Sequence, residues 1–229
     1  MRSTAVIIPA LNEASSIERA VRSAIQAGAF EIIVADGGSA DGTAALARRA
    51  GARVIVESGP RGARLNAAAR QASSKIVLFL HADSALPCDG LSLAGGAIDA
   101  GFVLGGFRLR FAEAHPKLRL AAMMINLRST LLETPWGDQG QFLDRERFLE
   151  SGGFREIPIM EDYDLASRMK RQGRIVILPA AVTTSGRRFL DKGLLRTAWI
   201  NWNLILAWHR GADAERLARI YRGTDRRTG

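Results

Sequence analysis

The fold of this chain is decided by its first apolar run, Ala5-Val6-Ile7-Ile8, and by the loop after it, Pro9-Ala10-Leu11-Asn12-Glu13. Four small or branched apolar residues in a row predict a strand that is buried on both faces. Similar runs lie at residues 31–35, 53–56 and 76–80, and segments with helical spacing separate them at 15–27, 41–50 and 61–73. This repetition predicts an α/β fold with a mainly parallel sheet covered by helices on both faces.

The second half of the chain does not continue this alternation. Residues 102–111 predict a longer strand, for which an antiparallel direction is considered, and residues 117–133 predict a helix. Large apolar residues lie along one side of that helix, namely Leu120, Met123, Met124, Leu127 and Leu131. Further elements are expected at 141–144 (strand), 161–172 (helix), 174–178 (strand, ended by Pro179) and 190–222 (two helices, broken near Gly211). We expect one domain over residues 1–186 and a helical tail over residues 187–229.

The net charge of the 229 residues is +9, from 32 Lys and Arg against 23 Asp and Glu. This excess predicts acidic partners, such as phosphates or an anionic membrane surface. Residues 187–229 contain 10 of the basic and 4 of the acidic residues, so most of the excess belongs to the tail. The single cysteine, Cys88, excludes an internal disulfide and favours a reducing, cytoplasmic compartment. Neither a secretory signal nor a membrane span is predicted.

Three of the predicted strands end in loops that carry a carboxylate: Glu13, Asp36 and Asp83. The carboxyl ends of parallel strands share one edge of the sheet, so these side chains are expected at the same edge. Carboxylates there can bind a base or a ribose, or can hold Mg²⁺ or Mn²⁺ together with phosphate oxygens of a substrate. For each residue alone, the alternative is helix capping or turn formation.

Two common phosphate-binding motifs are excluded. Residues 37–43 have the glycine spacing of a P-loop but lack its lysine, and no G-x-G-x-x-G follows the first strand. A basic stretch at residues 59–66 opens the third helix, where it could meet an anion or simply start a solvated helix. Glu161 and Asp162 begin another helix, where they fit either a general base or a favourable interaction with the helix dipole.

These motifs, in this order, resemble family 2 glycosyltransferases of the GT-A fold. The family patterns P-x-x-N-E, D-D-G-S-x-D-G-T, D-x-D and E-D are similar to residues 9–13, 35–43, 81–83 and 161–162, with Ala35 at the first Asp of the second pattern. One subgroup, the radical-SAM/selenodomain-associated transferases, is more similar still, through residues 62–66, 79–83, 137–140 and 152–162. The resemblance covers about residues 5–179.

The resemblance implies inverting transfer of a sugar from a UDP- or GDP-sugar to an acceptor hydroxyl, with Mn²⁺ or Mg²⁺ as cofactor. It implies nucleotide-sugar binding by Pro9, Asn12, Glu13, Asp36, Arg64, His81, Ala82 and Asp83, with Asp83 as the metal ligand. It also implies Asp162 as the catalytic base with Glu161 in reserve, and Asp138 and Gln139 on the acceptor side. His81 departs from the pattern because it replaces the first acid of D-x-D. A neutral imidazole is a poorer ligand for Mg²⁺ than a carboxylate and suits Mn²⁺ better.

The tail holds three of the four tryptophans, Trp199, Trp202 and Trp208, among apolar residues with basic neighbours. We expect this tail to pack on the domain or on a second subunit of a homodimer. An alternative is peripheral contact with the inner face of a membrane, where Trp and Arg flanking an apolar helix are typical. A further alternative is closure over the acceptor pocket, with Arg187 or Arg188 touching phosphate.

Other functions are weighed on the same residues. A sugar-phosphate nucleotidyltransferase would carry a basic, glycine-rich loop after the first strand, whereas that loop is acidic and glycine-free here. A homologue that binds donor without turnover is a second alternative. Nucleic acid is not expected as a partner, because no nucleic-acid-binding motif occurs. The sequence does not select the acceptor, which is a lipid phosphate, a small metabolite or a glycan.

Overall fold

The computed structural model describes residues 3–223, so residues 1–2 and residues 224–229 of the expected tail lie outside the described part. Seven strands of this part form one sheet in the order β3-β2-β1-β4-β6-β5-β7. The strands are β1 Thr4–Ala10, β2 Glu31–Asp36, β3 Arg53–Val56, β4 Ile76–Phe79, β5 Leu104–Phe111, β6 Phe142–Asp144 and β7 Ile175–Thr184. The predicted α/β class with a mainly parallel sheet is confirmed.

Helices cover both faces of the sheet. They are α1 Ile17–Gln26, α2 Thr43–Arg49, α3 Arg61–Gln71, α4 Gly90–Asp99, α5 Pro116–Leu132, α6 Arg145–Glu150, α7 Glu161–Lys170, α8 Arg187–Lys192, α9 Leu194–His209 and α10 Ala214–Gly223. On one face, α1, α2 and α4 pack with alternate strand residues such as Val6 and Ile8. On the other face, α3, α6 and α7 pack with the intervening residues such as Ala5 and Ile7. Burial on both faces explains why the strands are continuous apolar runs.

The strand order reverses beside β1, which pairs in parallel with β2 on one side and with β4 on the other. The helices that connect β1 to β2 and β2 to β3 cover one face of the sheet, whereas α3, which connects β3 to β4, covers the other. Ligands of open α/β sheets bind at such a switch point. The sheet thus presents the loops of Asn12, Asp36 and His81 along one edge.

An antiparallel direction was considered for β5, but the antiparallel strand of the sheet is β6. β6 is antiparallel to both β4 and β5, whereas β5 is parallel to β7. β5 therefore runs in the same direction as β1 to β4. Its carboxyl end reaches the same edge of the sheet as the loops of the first half.

The last strand is longer than expected, because it continues through Pro179 to Thr184. The pairing shifts from Phe107 opposite Leu178 to Arg108 opposite Ala181, so Pro179 and Ala180 form a bulge. Proline has no N–H to donate, and a bulge on an edge strand is a place that tolerates it. The expectation that Pro179 ends the strand was wrong.

The helix α5 lies along the second half of β5, where β6 has already ended. Asn126 of α5 accepts from the Leu109 N–H at 2.7 Å and donates to the Leu109 carbonyl at 3.0 Å. Leu118 and Ala121 of α5 pack on Leu109 and Phe111. The large apolar residues that share the other side of this helix, from Leu120 to Leu131, are exposed.

The tail contains three helices in the described part rather than two, separated at Gly193 and near Gly211. Ile200, Leu204 and Leu217 of the tail pack with Met160 and Tyr163 at the start of α7. The tail therefore contacts the helix that carries the E-D pair. No helix within residues 3–223 has both the length and the apolarity that crossing a membrane requires.

Candidate active site

A chamber of about 410 Å³ opens at the carboxyl ends of β4, β5 and β7, beside the helices of the tail. Its charged or titratable lining consists of Arg61, His81, Asp83, Arg128, Asp138, Glu161 and Asp162. Its apolar and aromatic lining includes Phe111, Ile125, Trp136, Ile159, Met160, Tyr163, Phe189, Leu204 and Tyr221. The chamber therefore joins a cluster of catalytic side-chain types to an aromatic cavity.

Arg61, the first residue of α3, lies at the centre of the charged cluster. Its Nε forms an ion pair with Glu161, and its Nη2 lies 3.9 Å from Asp162 Oδ2. Burial alone would lower the pKa of Arg61, but the charges of Glu161 and Asp162 outweigh burial and raise it. Arg61 is therefore a permanent cation that connects α3 to the start of α7.

Gly137 brings a 3₁₀ turn, Gly137–Gln139, against this cluster. Its N–H donates to Asp162 Oδ2 at 2.6 Å, while Asp162 Oδ1 accepts from the Tyr163 N–H at 2.8 Å. A Cβ at position 137 would lie 2.8 Å from Asp162 Oδ2 and 3.0 Å from His81 Nε2. Only glycine fits this position without displacing its neighbours, and both oxygens of Asp162 are held in a fixed orientation.

His81 is neutral in this environment. Burial and the nearby charge of Arg61 lower its pKa to about 4. Its Nε2 lies 2.9 Å from Arg61 Nη1. A guanidinium can only donate, so Nε2 is the acceptor and the ring proton is assigned to Nδ1.

Asp138 follows Gly137 and lines the chamber as a carboxyl that is only partly satisfied. Its Oδ1 is buried and has no hydrogen-bond partner among residues 3–223. Burial raises the pKa of Asp138 to about 6, and the charges of Asp162 and Asp83 add to this effect against the opposing charge of Arg128. An oxygen of this kind is available to a hydroxyl group that enters the chamber.

Asp83, the retained acid of the D-x-D position, reaches the chamber from the loop after β4. Its Oδ1 accepts from Ser84 Oγ at 3.2 Å and from Thr184 Oγ1 at 3.4 Å. In the described part of the chain, no group of three His, Cys, Asp or Glu side chains is arranged to hold a metal. A metal here would therefore take further ligands from a bound phosphate, as Mg²⁺ and Mn²⁺ sites commonly do.

Two residues predicted for catalysis or the acceptor side have other partners. Glu161 is buried and held by Arg61, although it lines the chamber. Gln139 is fully buried and is absent from the chamber lining. Its Oε1 accepts from Ser129 Oγ at 2.7 Å, and its Nε2 donates to the Phe107 carbonyl at 3.0 Å. Gln139 thus supports the turn that presents Asp138.

A second group of predicted residues lies at the ends of β1 and β2, outside the chamber lining. Asp36 Oδ1 accepts from the N–H groups of Gly38 and Ser39, at 2.8 and 2.7 Å. Asp36 Oδ2 and Arg64 Nε are buried and have no hydrogen-bond partner among the described residues. Arg64 Nη1 donates to the Ala10 carbonyl at 2.9 Å, so Arg64 is bonded to the end of β1.

Four other residues were predicted to bind the nucleotide-sugar donor, and hydrogen bonds of two of them hold the loops at these strand ends. Asn12 has a positive φ of 56°, and its Oδ1 accepts from the Ala40 N–H at 3.0 Å. The Glu13 N–H donates to Thr43 Oγ1 at 2.8 Å, and its carboxylate accepts from Ser16 Oγ. Pro9 lies in β1 opposite Ala35 of β2, and Ala82 is buried between His81 and Asp83.

The helices of the tail contact the aromatic part of the chamber. Tyr163 Oη lies 2.7 Å from His209 Nε2, which joins α7 to the end of α9. The Arg128 guanidinium stacks 3.9 Å from the centre of the Trp136 ring. Burial lowers the pKa of Arg128, and its charge faces Asp138 and Asp162.

Sequence reasoning missed the roles of Arg61, Arg128 and Gly137. Arg61 and Arg64 are three residues apart on α3 and so share one side of it, a spacing that could have drawn attention to both. No sequence pattern indicated a role for Arg128, because it lies in an apolar helix far from any motif. The position of Gly137 depends on a contact with α7, which no local pattern reveals.

Comparison with known proteins gives a family match. The model of "Glycosyl transferase family 2" matches residues 5–155. The uncharacterized glycosyltransferase Rv0539 of Mycobacterium tuberculosis is 37% identical over 97 residues, which are 42% of this chain and 44% of that protein. The chain thus matches less than half the length of this curated relative.

Solved structures share the fold. The mannosyltransferase PcManGT from Pyrobaculum calidifontis, in complex with GDP-Man and Mn²⁺, has a TM-score of 0.68 at 23% identity, covering 80% of this chain and 57% of that one. Glucosyl-3-phosphoglycerate synthase from Mycobacterium tuberculosis, in complex with Mn²⁺, UDP and glucosyl-3-phosphoglycerate, has a TM-score of 0.63 at 22% identity. That alignment covers 93% of this chain and 81% of the other.

Proposed function

This chain belongs to glycosyl transferase family 2, and from that premise we propose that it transfers a sugar from a UDP- or GDP-sugar to an acceptor hydroxyl. The observation that carries the proposal is the chamber at the switch-point edge, where Asp83 and Asp162 line one cavity. A donor with its diphosphate at Asp83 would place its sugar in this cavity. The acceptor would then approach through the aromatic part.

The strand ends of β1 and β2 support a nucleoside site. A carboxylate oxygen that is buried without a partner, Asp36 Oδ2, favours a base with an N–H donor. Uracil and guanine present such an N–H on the ring, whereas cytosine and adenine present an exocyclic NH₂ beside a ring acceptor. Arg64, next to Asp36, adds a donor with an unsatisfied Nε. This pair supports a nucleobase site at these strand ends, and the choice of UDP or GDP follows the family resemblance.

The residues present fit a divalent cation in the form of one carboxylate plus substrate phosphate. We place Asp83 as its protein ligand, and Mn²⁺ or Mg²⁺ as the cation. When bound, the cation would stabilise the charge that develops on the leaving diphosphate. His81 is neutral and could become a second ligand only by giving up its contact with Arg61. Arg61 supplies a fixed positive charge next to the same site.

Asp162 is the proposed base. In the transfer step, the acceptor oxygen forms a bond to the anomeric carbon while the bond from that carbon to the diphosphate breaks. The hydroxyl proton goes to the Asp162 carboxylate, and attack opposite the leaving group inverts the anomeric centre. Glu161 acts through Arg61, whose guanidinium it holds in place. Asp138 lies on the acceptor side, with Gln139 fixing its turn.

The acceptor remains one of three classes, namely a lipid phosphate, a small metabolite or a glycan. Aromatic walls support an acceptor with an extended apolar or sugar-ring face.

The subgroup of radical-SAM/selenodomain-associated transferases and a cytoplasmic location remain part of the proposal. For the tail, the contacts of α9 and α10 with α7 support packing on the domain. Homodimerisation and membrane contact through Trp199 and Trp202, which are exposed, are likewise proposed. The side chain of Arg188 lies outside the described part.

Calorimetric titration with UDP- and GDP-sugars, with and without Mn²⁺, tests the proposal. We expect one nucleotide series to bind, and to bind more tightly with Mn²⁺ present. CDP- and ADP-sugars serve as matched controls because they keep the diphosphate and change the base edge. Absence of binding by every nucleotide sugar under every metal condition would refute the transferase assignment.

A further inference from the structure

The outer side of α5 carries a row of large apolar residues that nothing in the described chain covers. The row consists of Leu120, Met123, Met124, Leu127 and Leu131, and we call it the α5 stripe. Met123, Leu127 and Leu131 are 60%, 58% and 71% exposed. The inner side of the same helix is also apolar, because Leu118 and Ala121 are buried against β5. A helix that is apolar on both sides is normally covered on both.

The charges at the amino-terminal end of the α5 stripe are positive, and the acid Glu133 follows its carboxyl-terminal end. The 17 residues of α5 include Lys117, Arg119 and Arg128 and no acidic residue. Lys117 and Arg119 are exposed beside the stripe at its amino-terminal end. Residues 187–223 of the tail, whose helix α9 packs near α5, contain 8 basic and 3 acidic residues in sequence. An apolar row bordered by cations matches a surface that is apolar beneath and anionic on top.

A groove of about 550 Å³ next to the α5 stripe has the same character. It runs between the end of β5 and α5, and it is lined by Leu118, Ala122, Met123, Arg110 and Arg119, among others. Glu113 also lines it, and its carboxylate accepts from the Gly186 N–H at 2.7 Å and from Ser185 Oγ at 3.2 Å. Arg110 is anchored through Nη2 to Thr183 Oγ1 at 3.0 Å. Two arginines above apolar side chains could hold a phosphate group while a hydrocarbon chain lies on the stripe.

The neighbouring helix α9 adds residues that favour a lipid interface. Trp199 and Trp202 are exposed on it, and tryptophan prefers the level of the lipid headgroups. Both helices also line the chamber, α5 through Ile125 and Arg128 and α9 through Asn201 and Leu204. A surface that covers the outer side of α5 would therefore lie close to the chamber wall.

We propose that the α5 stripe, with Arg110 and Arg119, docks the protein on the surface of an anionic phospholipid bilayer. The apolar side chains enter the headgroup boundary, and the two arginines bind lipid phosphate. This inference goes beyond the proposed sugar transfer and does not require it. It assigns the surface to α5 and the adjacent groove rather than to the tail alone.

Vesicle flotation tests the proposal directly. The full chain is mixed with vesicles of phosphatidylcholine containing about 30% phosphatidylglycerol, or with vesicles of phosphatidylcholine alone, at about 0.1 M salt. We expect the bound fraction to be at least about tenfold greater on the anionic vesicles and to fall as salt is raised. No flotation with either vesicle would overturn the proposal.

Three variants separate the contributions. Met123→Gln combined with Leu127→Gln should reduce binding to anionic vesicles by about tenfold or more, since two inserted apolar side chains are lost. Arg110→Gln combined with Arg119→Gln should remove the preference for anionic lipid. Ile25→Gln is the matched control, because it changes an exposed isoleucine of α1. Unchanged binding in either double variant would contradict the role given to its residues.

Two further measurements keep the interpretation unambiguous. Circular dichroism melting and nucleotide-sugar binding are measured on every variant, so loss of folding or of the donor site is seen separately. Sedimentation without lipid reports the oligomeric state. If the wild type is a dimer that Met123→Gln/Leu127→Gln dissociates, the stripe is covered by a second copy and the lipid assignment is wrong.

Discussion

The backbone N–H of Gly137 donates to the Asp162 carboxylate at 2.6 Å, which fixes the proposed base from outside its own helix. The 3₁₀ turn and α7 are separated by more than 20 residues in sequence, and this bond joins them at the chamber. The same turn carries Asp138 and is supported by Gln139. Orientation of the base therefore depends on packing of the turn as much as on α7.

Substituting Gly137 by Ala should disturb this relationship. The new Cβ would contact Asp162 Oδ2 and His81 Nε2 at 3.0 Å or less, so the turn or the carboxylate must move. We expect transfer to fall by at least about tenfold, since small misplacements of catalytic groups are costly. Gly95→Ala is the control because its Cβ would meet nothing within 4 Å inside α4. If the two variants transfer sugar at equal rates, Gly137 has no role in catalysis.

Asp162→Asn should retain donor binding and lose transfer by about 10²–10⁴-fold, the usual contribution of a general base. The amide keeps the shape of the side chain but cannot accept the proton, and one of the two backbone N–H groups of Gly137 and Tyr163 loses its acceptor. Donor affinity is measured by calorimetry and transfer by release of nucleoside diphosphate in the presence of acceptor. If Asp162→Asn remains active while Asp138→Asn does not, the base is Asp138, whose Oδ1 is already unsatisfied within the described chain.

Asp36→Asn should change which base is bound. Its Oδ1 position can still be an oxygen that accepts from Gly38 and Ser39, while the other position becomes an NH₂ donor. We expect affinity for the preferred UDP or GDP series to fall about tenfold and the ratio to CDP to move toward CDP. Competition titrations with UDP, GDP and CDP report this ratio. An unchanged ratio of UDP or GDP to CDP binding would show that the nucleobase is bound elsewhere.

Asp83→Asn should remove the effect of Mn²⁺ on donor binding. A carboxylate is the ligand that Mg²⁺ and Mn²⁺ require from the protein here, and an amide is a weaker ligand. In the wild type, chelation with EDTA should reduce transfer at least about tenfold. Asp89→Asn, at an exposed acid before α4, is the control. Retained Mn²⁺ dependence in Asp83→Asn would point to another ligand set.

The raised pKa of Asp138 predicts that the free energy of unfolding depends on pH. This dependence can be measured without substrate. The pKa of Asp138 is raised by burial to about 6, above its value in the unfolded chain. The stability it contributes is therefore complete below about pH 4 and is lost as pH rises through about 6. In EDTA, Asp138→Asn should gain about 1–3 kcal/mol relative to wild type between pH 4 and pH 8. Urea unfolding across this range measures the difference, and a flat difference would contradict it.

The strands of the first half could be predicted because each is a continuous apolar run buried on both faces. β1, β2 and β3 begin and end within two residues of the predicted positions. The helix α4 gave no such signal, because Gly95 and Gly96 lie in its interior and glycine is a poor helix former. The extension of β7 past Pro179 depends on a bulge against β5, which a local sequence pattern does not contain.

Only part of the candidate site could be predicted, because local sequence patterns do not show contacts between distant segments. Motifs at strand ends indicated Asp36 and Asp83 because a parallel sheet brings such positions to one edge, and the family resemblance implied Asp162 at the start of a helix. Arg61 could not be assigned from sequence, since its partners on α7 are 100 residues away. The exposed side of α5 shows the same limit, because periodicity indicates an apolar side but not whether it faces the sheet or the solvent.

The bonds from Asn126 to Leu109 have a consequence for association between chains. Past Gly105, the side of β5 that faced β6 would be an open strand edge, able to pair with a strand of another molecule. At Leu109 the Asn126 side chain offers one acceptor and one donor, as a neighbouring strand would, and Gln139 donates to the Phe107 carbonyl two residues earlier. We therefore expect Asn126 to hinder edge-to-edge pairing between chains, because a leucine of similar size would leave the N–H and carbonyl of Leu109 without these partners.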